Sequence, residues 1–147
     1  MRALAGLAIE CGQRRVAAAI VLGYHCILRT GELLRVRNGD LELTPRRGRG
    51  VVNLHSTERG QRRLQQETVT VDDPPLVKWL ATLLEPLQLG DTLVALTQHA
   101  FRDFFRHMLL TLGLAQSGFK LYSLRRGGAT FHYREFANLH ATTMKGR

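Results

Sequence analysis

The chain has 147 residues, 44% of them hydrophobic, and a formal net charge of +9 at pH 7. This is enough apolar material for one core, and a surface this basic favours a polyanion such as nucleic acid as partner. No apolar run reaches the roughly 18 to 20 residues that cross a bilayer, and the first residues lack a signal-peptide pattern. We therefore expect one soluble, intracellular domain.

Arginine supplies all but three of the 21 basic residues, the exceptions being Lys78, Lys120 and Lys145. A guanidinium group grips phosphate in two places, whereas an ammonium group is a point charge. A genome rich in G and C would also enrich arginine, so this ratio alone does not decide between the two explanations.

The first part of the chain has a helical pattern. Residues 3–11 resemble the end of a helix, and residues 14–28 place apolar side chains at helical spacing. A short third helix is predicted over residues 30–36. Cys11 and Cys26 lie in these segments without the spacing of a metal site, and we predict that both are buried thiols.

The apolar period changes to two over the next part of the chain. Three short strands are predicted near residues 41–43, 51–54 and 68–71, and together they form an antiparallel meander. Both connections between the strands carry arginine clusters, which we predict to contact the backbone of a duplex, the alternative being two solvated loops. The clusters are Arg46, Arg47 and Arg49 in the first connection and Arg59, Arg62 and Arg63 in the second.

The last part of the chain is again helical. One helix is predicted to start at the proline pair 74–75, and a second to span residues 97–112 with Thr97 as its cap. Ser123 is predicted to cap a third helix that runs to about Phe136, and residues 138–145 form a fourth. The elements predict an α+β fold, mainly helical, with helices around a small three-stranded antiparallel sheet.

Two arginine-bearing segments carry the candidate chemistry. Arg29 follows a strongly apolar helix, and Arg125 lies near a predicted helix N-terminus, where backbone amides also attract phosphate. Two guanidinium forks aimed at one phosphodiester would stabilise the negative charge that builds on its oxygens. The alternative is that each arginine only caps or pairs within its helix end, as Arg29 would with Glu32.

The segments 27–34 and 121–130 resemble the two arginine boxes of the tyrosine recombinases, the phage integrase family. The resemblance covers nearly the whole chain and implies that Arg29 and Arg125 are the catalytic arginines. It also implies that Glu32 is the structural glutamate of the first box and that Tyr122 takes the place of the usual histidine. Arg126, beside the second arginine, is then expected to contact DNA.

The resemblance implies a DNA breaking-rejoining catalytic core that acts in the recombination and integration of mobile DNA. It implies double-stranded DNA as partner, other recombinase protomers as further partners, and no metal, nucleotide cofactor, membrane or small-molecule ligand. Such a protein would be located with the DNA, in the nucleus if the host is eukaryotic.

Two departures from the family pattern predict that the chemistry is lost. The family has a lysine in the turn after its second strand, but Glu58 stands at that position here, and a carboxylate repels the phosphate that it should protonate. The family's nucleophilic tyrosine lies beyond its third box, and neither Tyr24 nor Tyr133 is at that place. We expect one domain over residues 1–147, incomplete at its C-terminus and its N-terminus, that binds DNA without cleaving it. The alternative is a basic nucleic-acid-binding module with no recombinase activity or ancestry.

Overall fold

A computed structural model describes residues 1–54 and 67–146 of the chain. Within these residues the fold is mainly helical, with one three-stranded antiparallel sheet, so the predicted α+β class is confirmed. Two short 3₁₀ turns, Asn38–Asp40 and Ala115–Ser117, connect regular elements. In chain order the elements are α1 (Arg2–Glu10), α2 (Arg14–His25), α3 (Thr30–Leu33), β1 (Leu41–Thr44), β2 (Arg49–Leu54), β3 (Glu67–Val71), α4 (Pro74–Leu84), α5 (Gln98–Thr111), α6 (Tyr122–Phe136) and α7 (Leu139–Gly146).

Helix α2 is the centre of the core, because every residue from Val16 to Gly23 is buried. Helices α1, α4 and α6 all pack against it. The predicted extension of this helix to residue 28 is wrong, since α2 ends at His25. Ile27 has a positive φ of 54°, and the amide of Leu28 donates to the carbonyl of Gly23 at 3.1 Å. This pattern is a Schellman C-cap, which ends a helix and turns the chain.

The sheet follows the predicted meander, in the order β1-β2-β3 with antiparallel pairing throughout. Side chains alternate along the strands, so that Val52 and Leu54 of β2 and Val69 and Val71 of β3 are buried. Helix α4 packs on the sheet, and its Asp73 cap accepts a hydrogen bond from the Leu76 amide at 3.0 Å. The sheet therefore shares one core with the helices.

The sequence predicts helix caps at Thr97 and Ser123, and only the first of these is confirmed. Thr97 caps α5 as predicted, because its hydroxyl accepts from the Ala100 amide at 3.2 Å. Ser123 does not cap α6, since that helix begins one residue earlier and the Ser123 hydroxyl accepts from the Lys120 amide instead, at 3.0 Å. The third helix is shorter than predicted and ends at Leu33.

The two cysteines differ in exposure. Cys26 is buried as predicted, but the prediction for Cys11 is wrong, because that thiol is exposed at the end of α1. In the part of the chain that the structure describes, no helix is long and apolar enough to cross a membrane.

Candidate nucleic-acid interface

Helix α6 is placed by its close packing on the last turn of α2. Leu124 lies over Gly23, and a Cβ atom built on Gly127 would lie 3.1 Å from the ring of Tyr24. A Cβ atom built on Gly128 would lie only 1.9 Å from the Tyr24 carbonyl oxygen, so no side chain fits there. The glycine pair thus allows close backbone approach, and it fixes the position of Arg125 on the same helix turn.

Arg125 connects three parts of the fold. Its Nη1 donates to the carbonyl oxygen of Ile27 at 2.5 Å, and its Nη2 donates to the carbonyl oxygen of Gly146 at the end of α7. Both acceptors are backbone carbonyl oxygens, so these two hydrogen bonds orient the guanidinium group. Ile27 is the residue of the α2 cap that has a positive φ, and it lies two residues before Arg29 in the chain.

Arg29 lies at the start of α3, in extended backbone just before Thr30. Its guanidinium pairs with the Glu32 carboxylate at 2.8 Å, and the same carboxylate accepts from the Arg29 amide at 2.6 Å. The helix-end pairing that the sequence offered as an alternative role is therefore present. In this pair the Arg29 side chain stays 55% exposed, whereas the Glu32 side chain is only 17% exposed.

The two predicted arginines consequently belong to one junction, formed by the end of α2, the start of α3 and the first turns of α6. Arg125 contacts the backbone of this junction, and Arg29 is part of it. Whether both arginines bind phosphate stays a prediction.

Tyr122 is the first residue of α6, and 57% of its surface is exposed. It lines a groove of about 430 Å³ together with Thr30, the residue after Arg29. Arg102 and Arg106 of α5 line the other side of this groove, and the sequence reading did not single them out. In the sequence these arginines appear only as two residues four apart, on the face of α5 that flanks its apolar stripe.

The other residues predicted to contact DNA lie at separate places on the fold. Arg126 is exposed on α6, and Arg46 and Arg47 are exposed on the turn between β1 and β2. That turn adjoins the start of β2, whereas Leu54, at the other end of the strand, shares a small groove with Glu32. At about 3.3 Å per residue, the turn lies some 16 Å along β2 from the end of the strand near Glu32.

Three further arginines of the prediction, Arg59, Arg62 and Arg63, lie outside the described residues, as does Glu58. Arg49, predicted as part of the first cluster, pairs loosely with Asp72 at 3.7 Å.

A larger cavity, of about 850 Å³, lies between β3, the end of α2, α6 and α7. It is lined by His25 and His132 and by none of the predicted site residues. Burial is the main cause that lowers the pKa of both imidazoles, and the nearby Lys145 lowers both further, whereas Asp73 acts in the opposite direction on His25. His132 is hydrogen bonded through Nδ1 to the Thr142 hydroxyl at 2.8 Å, which ties α6 to α7.

Comparisons with known proteins support the fold. No protein-family model and no curated protein sequence matches the chain. Among solved structures it is similar to the XerH site-specific recombinase bound to its difH substrate in a pre-cleavage complex, with a TM-score of 0.71 and 16% identity over 90% of this chain. The post-cleavage complex of XerH on a palindromic difH substrate gives a TM-score of 0.71 and 18% identity over 91% of this chain.

In both comparisons the chain spans 39% of the length of the XerH chain. At this identity the similarity is one of fold alone, shared with the XerH recombinase over the matched residues.

Proposed function

We propose that the chain is a DNA-binding domain of the tyrosine-recombinase type, in which Arg29 and Arg125 bind one backbone phosphate of a duplex. The observation that supports this most is the hydrogen bond from Arg125 to the Ile27 carbonyl, which joins the second arginine segment to the first. Two guanidinium groups at one junction, that of Arg29 exposed and that of Arg125 part-buried, form a site of the kind that binds phosphate oxygens bidentately. The similarity in fold to a recombinase crystallised on DNA adds support.

In this proposal the chain binds DNA without cleaving it. Its tyrosines are better placed for packing or for hydrogen bonding to DNA than for nucleophilic attack on a phosphate. Tyr24 packs its ring against Phe131, with centroids 5.8 Å apart, and burial raises the pKa of its phenol, so its phenolate is less accessible. Tyr133 is eight residues beyond Arg125 on α6, which is about 12 Å further along the helix axis. Tyr122 adjoins the site, where its hydroxyl serves as a hydrogen-bond donor to phosphate.

Binding is tested by fluorescence anisotropy on a labelled blunt duplex at fixed salt. Arg29→Ala and Arg125→Ala should each weaken binding by about tenfold or more, because each removes a charge-assisted hydrogen bond worth about 1.5–3 kcal/mol. The matched control is Arg47→Ala, an exposed arginine on the distant turn, which should weaken binding less than about threefold. Equal losses in all three variants would instead indicate a basic module that binds without a defined site.

Arg125 also holds two backbone carbonyls, so its variant needs a folding control. Arg125→Lys keeps the charge but loses the fork, and its thermal transition should be compared with that of Arg125→Ala before binding is measured. Absence of cleavage is tested by covalent trapping on nicked DNA. A protein-DNA adduct that survives denaturation would refute the non-cleaving part of the proposal.

A further inference from the structure

The groove beside Tyr122 combines exposed aromatic rings with positive charge. Phe119 is 51% exposed and Tyr122 is 57% exposed, although large apolar rings usually avoid water. Arg102, Arg106 and Lys120 line the same groove. The proposed contact with a duplex uses the Tyr122 hydroxyl but neither ring face, because a paired and stacked strand presents phosphates and not base faces to a protein surface.

The segment that carries Phe119 is held in place on both sides. The Phe119 amide donates to the Ser117 hydroxyl at 3.3 Å, and the Lys120 amide donates to the Ser123 hydroxyl at 3.0 Å. Gly118 supplies the left-handed turn before it, with a φ of 69°. Phe119 and Lys120 are therefore presented by a fixed backbone, which lowers the entropic cost of binding a ligand.

The positive side of the groove is a row along α5. Gln98, Arg102 and Arg106 recur every four residues, so they lie on one face of the helix. Arg106 has a loose ion pair with Asp103 at 3.8 Å, and both side chains are largely exposed. The groove therefore keeps an excess of positive charge, which complements a phosphate backbone.

We propose that this groove binds an unpaired DNA nucleotide next to the duplex site. The base stacks on Phe119 and Tyr122, and its phosphates lie along Arg102, Arg106 and Lys120. Aromatic platforms beside cations are how proteins hold single strands, because every base has a face that can stack once it is unpaired. The volume of about 430 Å³ is within the usual range for small ligand sites. This inference rests on the proposed function, since Thr30 joins the groove to the Arg29 junction.

The test compares three labelled substrates: a blunt duplex, the same duplex with a four-nucleotide single-stranded overhang, and one whose overhang is abasic. The abasic overhang has the same phosphates but no bases, so it separates stacking from charge. The wild-type chain should bind the normal overhang about tenfold more tightly than the abasic one. Phe119→Ala should remove that difference, and Phe119→Trp should keep it.

Two sets of controls complete the design. Phe136→Ala truncates an aromatic ring that is 61% exposed and lies outside this groove, and it should leave the overhang preference unchanged. Arg102→Gln with Arg106→Gln should weaken both overhangs equally, because their phosphates are identical. Equal affinity for the normal and abasic overhangs, with duplex binding intact, would overturn this inference alone. If Arg29→Ala weakened binding to the blunt duplex no more than the control Arg47→Ala does, the proposed function would be overturned instead.

Discussion

Gly128→Ala is the substitution whose effect follows most directly from the packing of α6 on α2. The added Cβ would lie 1.9 Å from the Tyr24 carbonyl oxygen, whereas such a carbon-oxygen contact needs about 3.3 Å. The helix must therefore retreat by roughly 1.4 Å. Overpacking of this kind costs up to about 3 kcal/mol, and replacing glycine by alanine within a helix returns about 1 kcal/mol. We expect a net loss near 2 kcal/mol.

The assay is thermal unfolding followed by circular dichroism. For a chain of this size the loss corresponds to a Tm lower by about 4–8 °C. The control is Gly6→Ala on α1, where a Cβ meets nothing within 4 Å, so the same exchange should raise the Tm slightly. Gly127→Ala should fall between the two, because its Cβ would meet only the ring edge of Tyr24. If Gly128→Ala is as stable as Gly6→Ala, the close approach of α6 to α2 is wrong.

Three other substitutions are predicted from local contacts. Thr97→Ala removes the cap of α5 and should lower the free energy of unfolding by about 1 kcal/mol in urea titrations. Glu32→Ala removes the charged acceptor of the Arg29 amide and guanidinium, and it should lower the free energy of unfolding by about 1.5–3 kcal/mol in the same measurement, because the Glu32 side chain is only 17% exposed. Burial lowers the pKa of His132 in the folded state. The neutral imidazole therefore contributes fully to the stability of the fold above the ordinary pKa of 6.5, and this contribution is lost as the pH falls below that value. The Tm of the wild type should therefore drop more between pH 7.5 and 5.5 than that of His132→Gln, whereas His140→Gln, at an exposed position, should follow the wild type.

The sequence predicts those parts of the fold whose cause is local. The alternation of Val52 and Leu54 with polar residues predicts β2, and the hydroxyl of Thr97 before an apolar stripe predicts the start of α5. The end of α2 is not predictable in this way. Ile27 is β-branched and buried, so it continues the helical apolar pattern, yet it adopts a left-handed conformation that such residues rarely take.

The candidate site is predicted only in part for a similar reason. The two arginine segments suggest a joint site by resemblance, and the contact of Arg125 with Ile27 is consistent with it. The row of arginines on α5 was missed because only tertiary packing brings it beside Thr30 and Tyr122. A local sequence pattern does not show which helix lines a given groove, and a row of charged residues on a helix usually faces solvent.

The central claim is that Arg29 and Arg125 bind the same phosphate, and salt dependence tests it most directly. Each phosphate that a protein neutralises on duplex DNA contributes about 0.9 to the slope of log Kd against log salt. With a shared phosphate, Arg29→Gln and Arg125→Gln should each change the slope little, and the double variant should lower it by about 0.9. A fall of about 0.9 in each single variant and 1.8 in the double would show two separate phosphates and contradict the claim.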